Sequence, residues 1–203
     1  MRYDTGFRPS VHGYPFRNTW RDAVFGVFTS RGRCGGMVFA SLDRFLTDVG
    51  PDISEDTAGH PLHDSALSRY IWRRQVESLA TGFGTNLWRF VVHTLVAGRV
   101  PLRIGIAAHR EARELVDLIA EGRPAPLGLV ATSGLLSPFR NHQVLAYAAE
   151  MEADVLVLRI YDPNLPQRDD VTLEVSLSEP GLLVERVGAR RTEWRSAFLE
   201  RYS

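Results

Sequence analysis

The sequence predicts an α+β protein in which a helical half packs on an antiparallel β-sheet. Before about Pro124, apolar residues recur every three or four positions, as on one face of a helix. After it, they form short runs and alternating patterns that are typical of strands. Helices that precede the strands, rather than alternating with them, favour this class over a parallel α/β sheet. The 203 residues fit a single domain over 1–203.

Three segments divide this predicted domain. An N-terminal arm covers 1–30, a mainly helical lobe covers 31–122 and a mainly β lobe covers 123–203. Glycines and prolines interrupt the arm, which predicts irregular chain there. Four helices are expected in the helical lobe from apolar spacing and end signals: the first follows the run GRCGGM and ends near residue 50, the second begins near residue 65, the third covers 85–96 and the fourth covers 110–120.

The β lobe contains short apolar runs separated by polar or glycine-bearing segments. These runs predict five strands, at PLGLVAT, HQVLAYAA, DVLVLRIYD, VTLEVSL and LLVERVG. Near the end of the sequence Trp194, Phe198 and Tyr202 recur at every fourth residue. That spacing predicts a short closing helix after the last strand.

Composition narrows the classes of function. The 24 basic and 24 acidic residues give a formal net charge of +0, so no global field attracts nucleic acid or an anionic membrane. No run approaches the roughly 20 apolar residues of a membrane span, and the first residues lack an apolar signal core, so we expect a cytoplasmic protein. Every basic residue is Arg, which excludes lysine Schiff-base chemistry. The single cysteine, Cys34, excludes an intrachain disulfide, and we expect neither cofactor nor metal.

Cys34 is a candidate nucleophile because of where it lies. It stands among the glycines of GRCGGM at the start of a predicted helix, where unpaired N–H groups and the helix dipole favour a thiolate. Gly35 would leave room for a substrate backbone to approach. The alternative is a small buried structural residue, since free cysteine is among the most buried residue types.

His142 and Asp162 are candidates for a general base and for the acid that orients it. His142 stands at the start of one apolar strand and Asp162 ends the next, so neighbouring strands would bring ring and carboxylate together. The alternatives are a surface histidine and an ordinary Asp-Pro-Asn turn. Asn164 competes for the third role, and we choose Asp162 because the strand holds its backbone directly.

In this order, GRCGGM, NHQVLAY and IYDPN resemble the papain-like cysteine peptidase superfamily, and most of all its bacterial leader-peptidase branch. In that superfamily a Cys-Gly pair opens a helix, a His-x-Val strand follows much later, and an Asp or Asn ends the next strand. The resemblance spans residues 30–165. It implies a papain-like fold, with the cysteine helix packed on a sheet that bears the histidine and the aspartate, and a Cys34–His142–Asp162 triad.

The resemblance leaves the oxyanion hole incomplete. Members usually carry a Gln shortly before the cysteine as a side-chain donor, and Phe28 occupies that position here. The backbone N–H of Cys34 supplies one donor, and for the second we choose Asn18, with Ser30 and Thr29 as alternatives. The residues expected to contact the oxyanion or the substrate are Asn18, Ser30, Gly35 and Asn141.

Two classes of function stay open. The first is a thiol-dependent acyl-transfer enzyme, most directly a cysteine peptidase or another amide or thioester hydrolase, although the same triad suits an acyltransferase or a cyclase. The second, motivated by the missing Gln, is a catalytically silent papain-like module that binds a peptide. The substrate would be a peptide or an acyl thioester, with loops 51–63 and 133–140 setting specificity. The oligomeric state stays open.

Two other polar clusters are expected to be solvated loops. His60 and His63, with Asp56 and Asp64, lack a further ligand at the spacing of a metal site. The loop 162–170 lacks the regular alternation and the terminal Glu of a calcium loop.

Overall fold

The computed structural model describes residues 1–24, 28–47, 59–96, 106, 109–131, 141–178 and 183–202. Four helices and nine strands are described within those ranges: β1 (Arg2–Asp4), α1 (Pro9–His12), β2 (Arg21–Val24), β3 (Phe28–Arg31), α2 (Cys34–Thr47), α3 (Ala66–Val96), α4 (His109–Ala120), β4 (Ala125–Ala131), β5 (His142–Glu152), β6 (Val155–Tyr161), β7 (Thr172–Ser176), β8 (Leu183–Val187) and β9 (Arg190–Leu199).

Strands β4 to β9 form a closed six-stranded antiparallel barrel. Each strand pairs with the next along the chain, and β9 returns to pair with β4, from Leu127 opposite Leu199 to Leu129 opposite Ala197. Closure leaves none of the six as a free edge. Strand β1 extends the sheet by pairing with the far part of β5, and β2 and β3 form a separate hairpin.

One apolar cluster contains residues from all six barrel strands. Inward-facing side chains alternate along the regular strands, as Leu127 and Leu129 of β4 and Leu156, Leu158 and Ile160 of β6 show. Helix α4 adds Ala112, Leu115 and Ile119 to the same cluster. The barrel interior is therefore a packed core.

Helix α2 is buried between α3 and the outer face of β5. Its Val38 and Leu42 pack with Leu145 and Tyr147 of β5, while Met37 packs with residues of the N-terminal arm and α3. This packing places the first residue of α2 next to the first residues of β5. Among the described residues, no helix is long and apolar enough to cross a membrane.

The expected papain-like fold class is wrong. The prediction was a helical half, bearing the cysteine helix, packed on an antiparallel sheet, whereas the strands close into a barrel accompanied by a few helices. The decisive element is β9, which was expected as a closing helix. Residues four positions apart share a face in a regular strand as well as in a helix, so the spacing of Trp194 and Phe198 could not separate the two. In β9 a register shift opposite Val130 and Ala131 places them in different clusters, Trp194 in the barrel core and Phe198 against Phe90.

Two further helix and arm predictions differ from the structure. The arm contains β1, the short helix α1 and the β2–β3 hairpin instead of irregular chain throughout. The second and third predicted helices are one helix, α3, of 31 residues. Gly82 and Gly84 lie within it, since a glycine weakens a helix by about 1 kcal/mol without ending it.

The other element predictions are confirmed. Helix α4 and strands β4 to β8 coincide with their predicted segments to within a few residues, and α2 follows the glycine-rich run as expected. The predicted end of α2 at residues 50–51 and most of the loops 51–63 and 133–140 lie outside the described residues.

Candidate active site

Cys34 is the first residue of α2 and is half-buried. The turn before it is held by Asn18, whose Oδ1 accepts the backbone N–H of Arg33 at 2.6 Å. Gly32 occupies a left-handed conformation with φ +100 and packs against the Asn18 amide, which a side chain at that position would displace. The thiol therefore projects from a fixed turn.

Arg33 anchors this turn in the protein interior. Its guanidinium donates to both oxygens of Asp22, at 2.8 and 2.7 Å, and to the backbone oxygen of Ser68 at 2.7 Å. It also lies over the rings of Trp20 and Trp72. Because its buried guanidinium is paired with these groups, Arg33, the residue directly before Cys34, is held in one position.

His142 is the first residue of β5, and its ring is held on two sides. Nε2 lies 2.6 Å from Oδ1 of Asp162, the residue directly after β6. The Trp194 indole stacks on the ring, with 6.0 Å between centroids and 21° between planes. The same indole donates to Glu185 at 2.7 Å, which fixes the stacking surface.

Asp162, rather than Asn164, makes the short contact to the ring. Asn164 lies 3.3 Å from the same Nε2 through its Nδ2, while its backbone N–H donates to Asp162 Oδ1 at 2.7 Å. Asn164 thus fixes the carboxylate. Because Asp162 occupies Nε2, the ring nitrogen left for a proton exchange with Cys34 is Nδ1.

The electrostatics of this group favour a charged imidazole. Burial alone would lower the pKa of His142, but the charge and hydrogen bond of Asp162 and the contact with the Cys34 thiol raise it well above its ordinary value. Burial acts to raise the pKa of Asp162, yet the facing imidazole lowers it below the usual range. Both shifts favour a protonated, charged imidazole facing the Asp162 carboxylate, which is the state that His142 reaches by taking the proton of Cys34.

Gln143 also reaches the cysteine, although no motif in the sequence points to it. Its Oε1 lies 3.9 Å from Cys34 Sγ, while its Nε2 lies 2.9 Å from each carboxyl oxygen of Glu200 and 3.2 Å from Ser78 Oγ. A side chain at Gly35 would collide with Gln143 and Ser78. The Gln143 amide thus fills the space beside Gly35 that was expected to receive a substrate backbone.

The other expected substrate-binding residues fall in different places. Asn141 uses Oδ1 to accept the backbone N–H of Ala131 and Nδ2 to donate to Thr94 Oγ1, so it links β4 to α3. Thr29 and Ser30 belong to β3, and their side chains lie outside the described residues.

The two rejected polar clusters are divided among other contacts. His63 lies near Asp22 and Asp64, whereas Asp56 lies outside the described residues. In the other loop, Asp169 accepts from Ser10 and Asp170 pairs with Arg168. Within the described part of the chain, no group of three His, Cys, Asp or Glu residues could hold a metal ion.

No protein-family model, curated protein or solved structure matches this chain. A thiol at a helix start, an imidazole in contact with it and a buried carboxylate behind the imidazole form the arrangement of a nucleophile, a base and an orienting acid.

Proposed function

We propose that the protein is a thiol-dependent acyl-transfer enzyme with Cys34 as nucleophile, His142 as general base and acid, and Asp162 as the residue that orients His142. The observation that carries the proposal is the buried 2.6 Å contact between His142 and Asp162, with the Cys34 thiol against the same ring. A His–Asp pair with a purely structural role would not be expected to contact a cysteine thiol as well.

The reaction follows from the positions of the three groups. Cys34 gives its proton to Nδ1 of His142, and Sγ bonds to the carbonyl carbon of the substrate while the electron pair moves to the carbonyl oxygen. When this tetrahedral species collapses, the bond to the leaving amine or thiol breaks and His142 protonates the leaving group. Water then attacks the acyl-enzyme, gives a proton to His142 and releases the acid, and the proton returns to Cys34.

The developing oxyanion needs donors close to Cys34. The backbone N–H of Cys34, at the start of α2, is one. The second donor is the side-chain amide of Asn18. Its Oδ1 accepts the backbone N–H of Arg33, next to the cysteine, so the same amide is fixed in place and its Nδ2 is the group that can donate to the oxyanion. Its backbone N–H also donates to Pro163 at 3.0 Å, which ties Asn18 to the turn that holds Asp162.

Peptide-bond hydrolysis is the reaction that we favour within this class. The sequence order of cysteine, histidine and aspartate is that of papain-like cysteine peptidases, so a peptide is the first substrate to test and an acyl thioester the second. A free catalytic thiol works best in a reducing compartment, and we propose that the protein acts in the cytoplasm.

Alkylation of Cys34 by iodoacetamide at pH 6 tests the proposal. An ordinary cysteine is only about 0.3% thiolate at that pH, so a thiol paired with imidazolium reacts far faster. We expect fast, stoichiometric labelling that falls to the ordinary rate in His142→Ala. His93→Ala is the matched control, because His93 is 6% exposed against 7% for His142 and contacts Ser196 and Phe198 instead. Labelling of the unaltered protein at the free-thiol rate would overturn the proposal.

A further inference from the structure

A buried amide and carboxyl pair lies next to Cys34 on the face of β5 opposite to His142. Successive residues of a strand point to opposite faces, so Gln143 projects away from the His142 ring although it follows it in sequence. Its amide stands between Cys34 Sγ, 3.9 Å from Oε1, and Glu200, whose two oxygens lie 2.9 Å from Nε2. Both side chains are buried.

The two ends of this amide have opposite effects on a thiolate. An ionised carboxylate can only accept hydrogen bonds, so it draws the amide nitrogen of Gln143 and leaves the carbonyl oxygen facing Cys34. A protonated Glu200 has an O–H that needs an acceptor, and the Oε1 of Gln143 supplies one when the amide turns. The turned amide presents its N–H to the sulfur, where it stabilises negative charge.

The neighbours of the amide bear unequally on its two orientations. Ser78 Oγ lies 3.2 Å from Nε2 and its O–H donates to the backbone oxygen of Gln75 at 2.9 Å, so it would share that proton with a turned Oε1. Gln75 lies 3.5 Å from Oε1 through its own Nε2, and its Oε1 accepts the backbone N–H of Gly36 at 3.0 Å, so a turn of Gln143 gives up this one long contact. The absence of a side chain at Gly35 leaves room for the Gln143 amide. A turn of the amide therefore needs no backbone movement.

The charges around Glu200 set the pH at which such a turn would occur. Burial raises the pKa of Glu200 to about 8, although the hydrogen bond from Gln143 and the charges of Arg89 on α3 and His142 on β5 act to lower it. Helix α4 contributes Glu111, which pairs with Arg89. The carboxyl is thus mainly protonated at pH 7 and ionises slightly above it.

We propose that Glu200 acts through Gln143 as a positioning residue, whose protonation decides whether the N–H or the carbonyl end of that amide faces the Cys34 sulfur. The inference rests on the proposed function, since it concerns the reactivity of the same thiol. Protonated Glu200 supports the thiolate, and ionised Glu200 opposes it.

The one cysteine in the sequence allows a direct spectroscopic test. Selective ¹³Cβ labelling of cysteine gives a single resonance, and we expect its chemical shift to change in a step near pH 8. Glu200→Gln, which carries no charge and can donate to Gln143, should remove the step. Glu111→Gln is the matched control, because it removes a carboxylate that also faces Arg89 without touching Gln143, and it should retain the step.

The rate of Cys34 alkylation gives an independent reading. At pH 6.5, Glu200→Gln and the unaltered protein should react equally fast. At pH 9 the unaltered protein should react more slowly than Glu200→Gln by about 10-fold, the effect of one lost hydrogen bond to a charged group. Persistence of the pH 8 step in Glu200→Gln, or its absence from the unaltered protein, overturns the inference.

Gln143→Met separates a relay from a direct effect of charge, and it replaces Glu200→Gln should that variant fail to fold. It keeps the length of the side chain and removes the amide, so the step should vanish while Glu200 still titrates. A step that survives in Gln143→Met contradicts the relay. If fast labelling at pH 6.5 and its dependence on His142 persist in that case, the proposed function stands and only this inference fails.

Discussion

Two carboxyl groups, Asp162 and Glu200, lie near the start of β5 and are buried to the same degree, 4% and 3% exposed. Asp162 faces the imidazole of His142 and its pKa is lowered, against the effect of burial. Glu200 faces the neutral amide of Gln143, and burial raises its pKa to about 8. The ionisation of a buried carboxyl here is decided by the charge of its partner.

The two carboxyl groups face side chains on opposite faces of β5, and their proposed roles differ. In the proposed mechanism, the carboxylate on the His142 face stabilises the imidazolium that forms when Cys34 loses its proton. In the further proposal, the titratable carboxyl on the Gln143 face determines how an amide is oriented. Variants that change or remove one of these partners test whether the two carboxyl groups differ in this way.

The largest effect is expected from Asp162→Asn. The variant keeps the shape of the side chain but removes the charge that stabilises the imidazolium, so turnover of a peptide or thioester substrate should fall by about 10- to 10,000-fold. Asn164→Ala should be mild, because the backbone N–H of Asn164 still donates to position 162. Turnover of both variants, with circular dichroism to verify folding, checks this. A near-normal Asp162→Asn beside an inactive, folded Asn164→Ala would reverse the assignment.

Asn18→Ala should separate acyl transfer from simple thiol reactivity. Loss of one oxyanion donor lowers turnover by about 100- to 1000-fold. Alkylation by iodoacetamide forms no oxyanion, so its rate at pH 6 should fall far less than turnover, by no more than the loosening of the turn that Asn18 holds. Equal losses in turnover and alkylation would indicate that Asn18 only holds the turn before Cys34.

Stability should depend on pH differently through the two carboxyls. The folded pKa of Glu200 lies above its ordinary value of 4.5, so the stability it contributes is present below about pH 4.5 and is lost as the pH rises through about 8. Urea unfolding from pH 5 to pH 8 should therefore show a loss of up to about 1.4 kcal/mol per pH unit relative to Glu200→Gln. Parallel curves for the two proteins would contradict the raised pKa.

Asp162 should show the opposite sign in acid. Its folded pKa lies below the ordinary value of 3.8, so its contribution is present above that value and is lost as the pH falls through the folded pKa. Unfolding measured below pH 4, with Asp162→Asn as reference, should show this loss. A difference between the two proteins that does not change below pH 4 would count against it.

The sequence could single out Cys34, His142 and Asp162, the residues of the proposed triad, because each lies at the end of a locally determined element. Cys34 begins a helix marked by glycines, His142 begins an apolar strand and Asp162 ends another. Barrel closure was missed because it depends on the pairing of β4 with β9, which are far apart in sequence. A four-residue spacing fits a helix as well as a regular strand, and the register shift within β9 leaves no mark in that spacing.

Gln143 and Glu200 were missed for a related physical reason. Neither belongs to a motif, and they meet only because β5 and the segment after β9 flank the same strand, β4. Two weak signals existed in the sequence. Gln143 follows a candidate catalytic histidine, and Glu200 directly follows the apolar run AFL, where burial of a carboxyl would be expected.

The smallest effect is expected from Gly35→Ala, which wedges a methyl group against Gln143 and Ser78. Overpacking of this kind costs roughly 1–3 kcal/mol, reduced by the better helix propensity of alanine. Gly59→Ala is the control, because nothing lies within 4 Å of its added methyl group. Urea unfolding of both variants measures the difference.

Gly35→Ala also bears on the two faces of the strand. Displacement of the Gln143 amide should abolish the pH 8 step of the Cys34 resonance, whereas the His142–Asp162 contact lies on the other face and should survive. Labelling of Cys34 at pH 6 should therefore stay faster than that of a free thiol. If Gly35→Ala is as stable as Gly59→Ala and keeps the pH 8 step, the Gln143 amide does not occupy the space beside Gly35. Asp162 and Glu200 would then differ only in their charge.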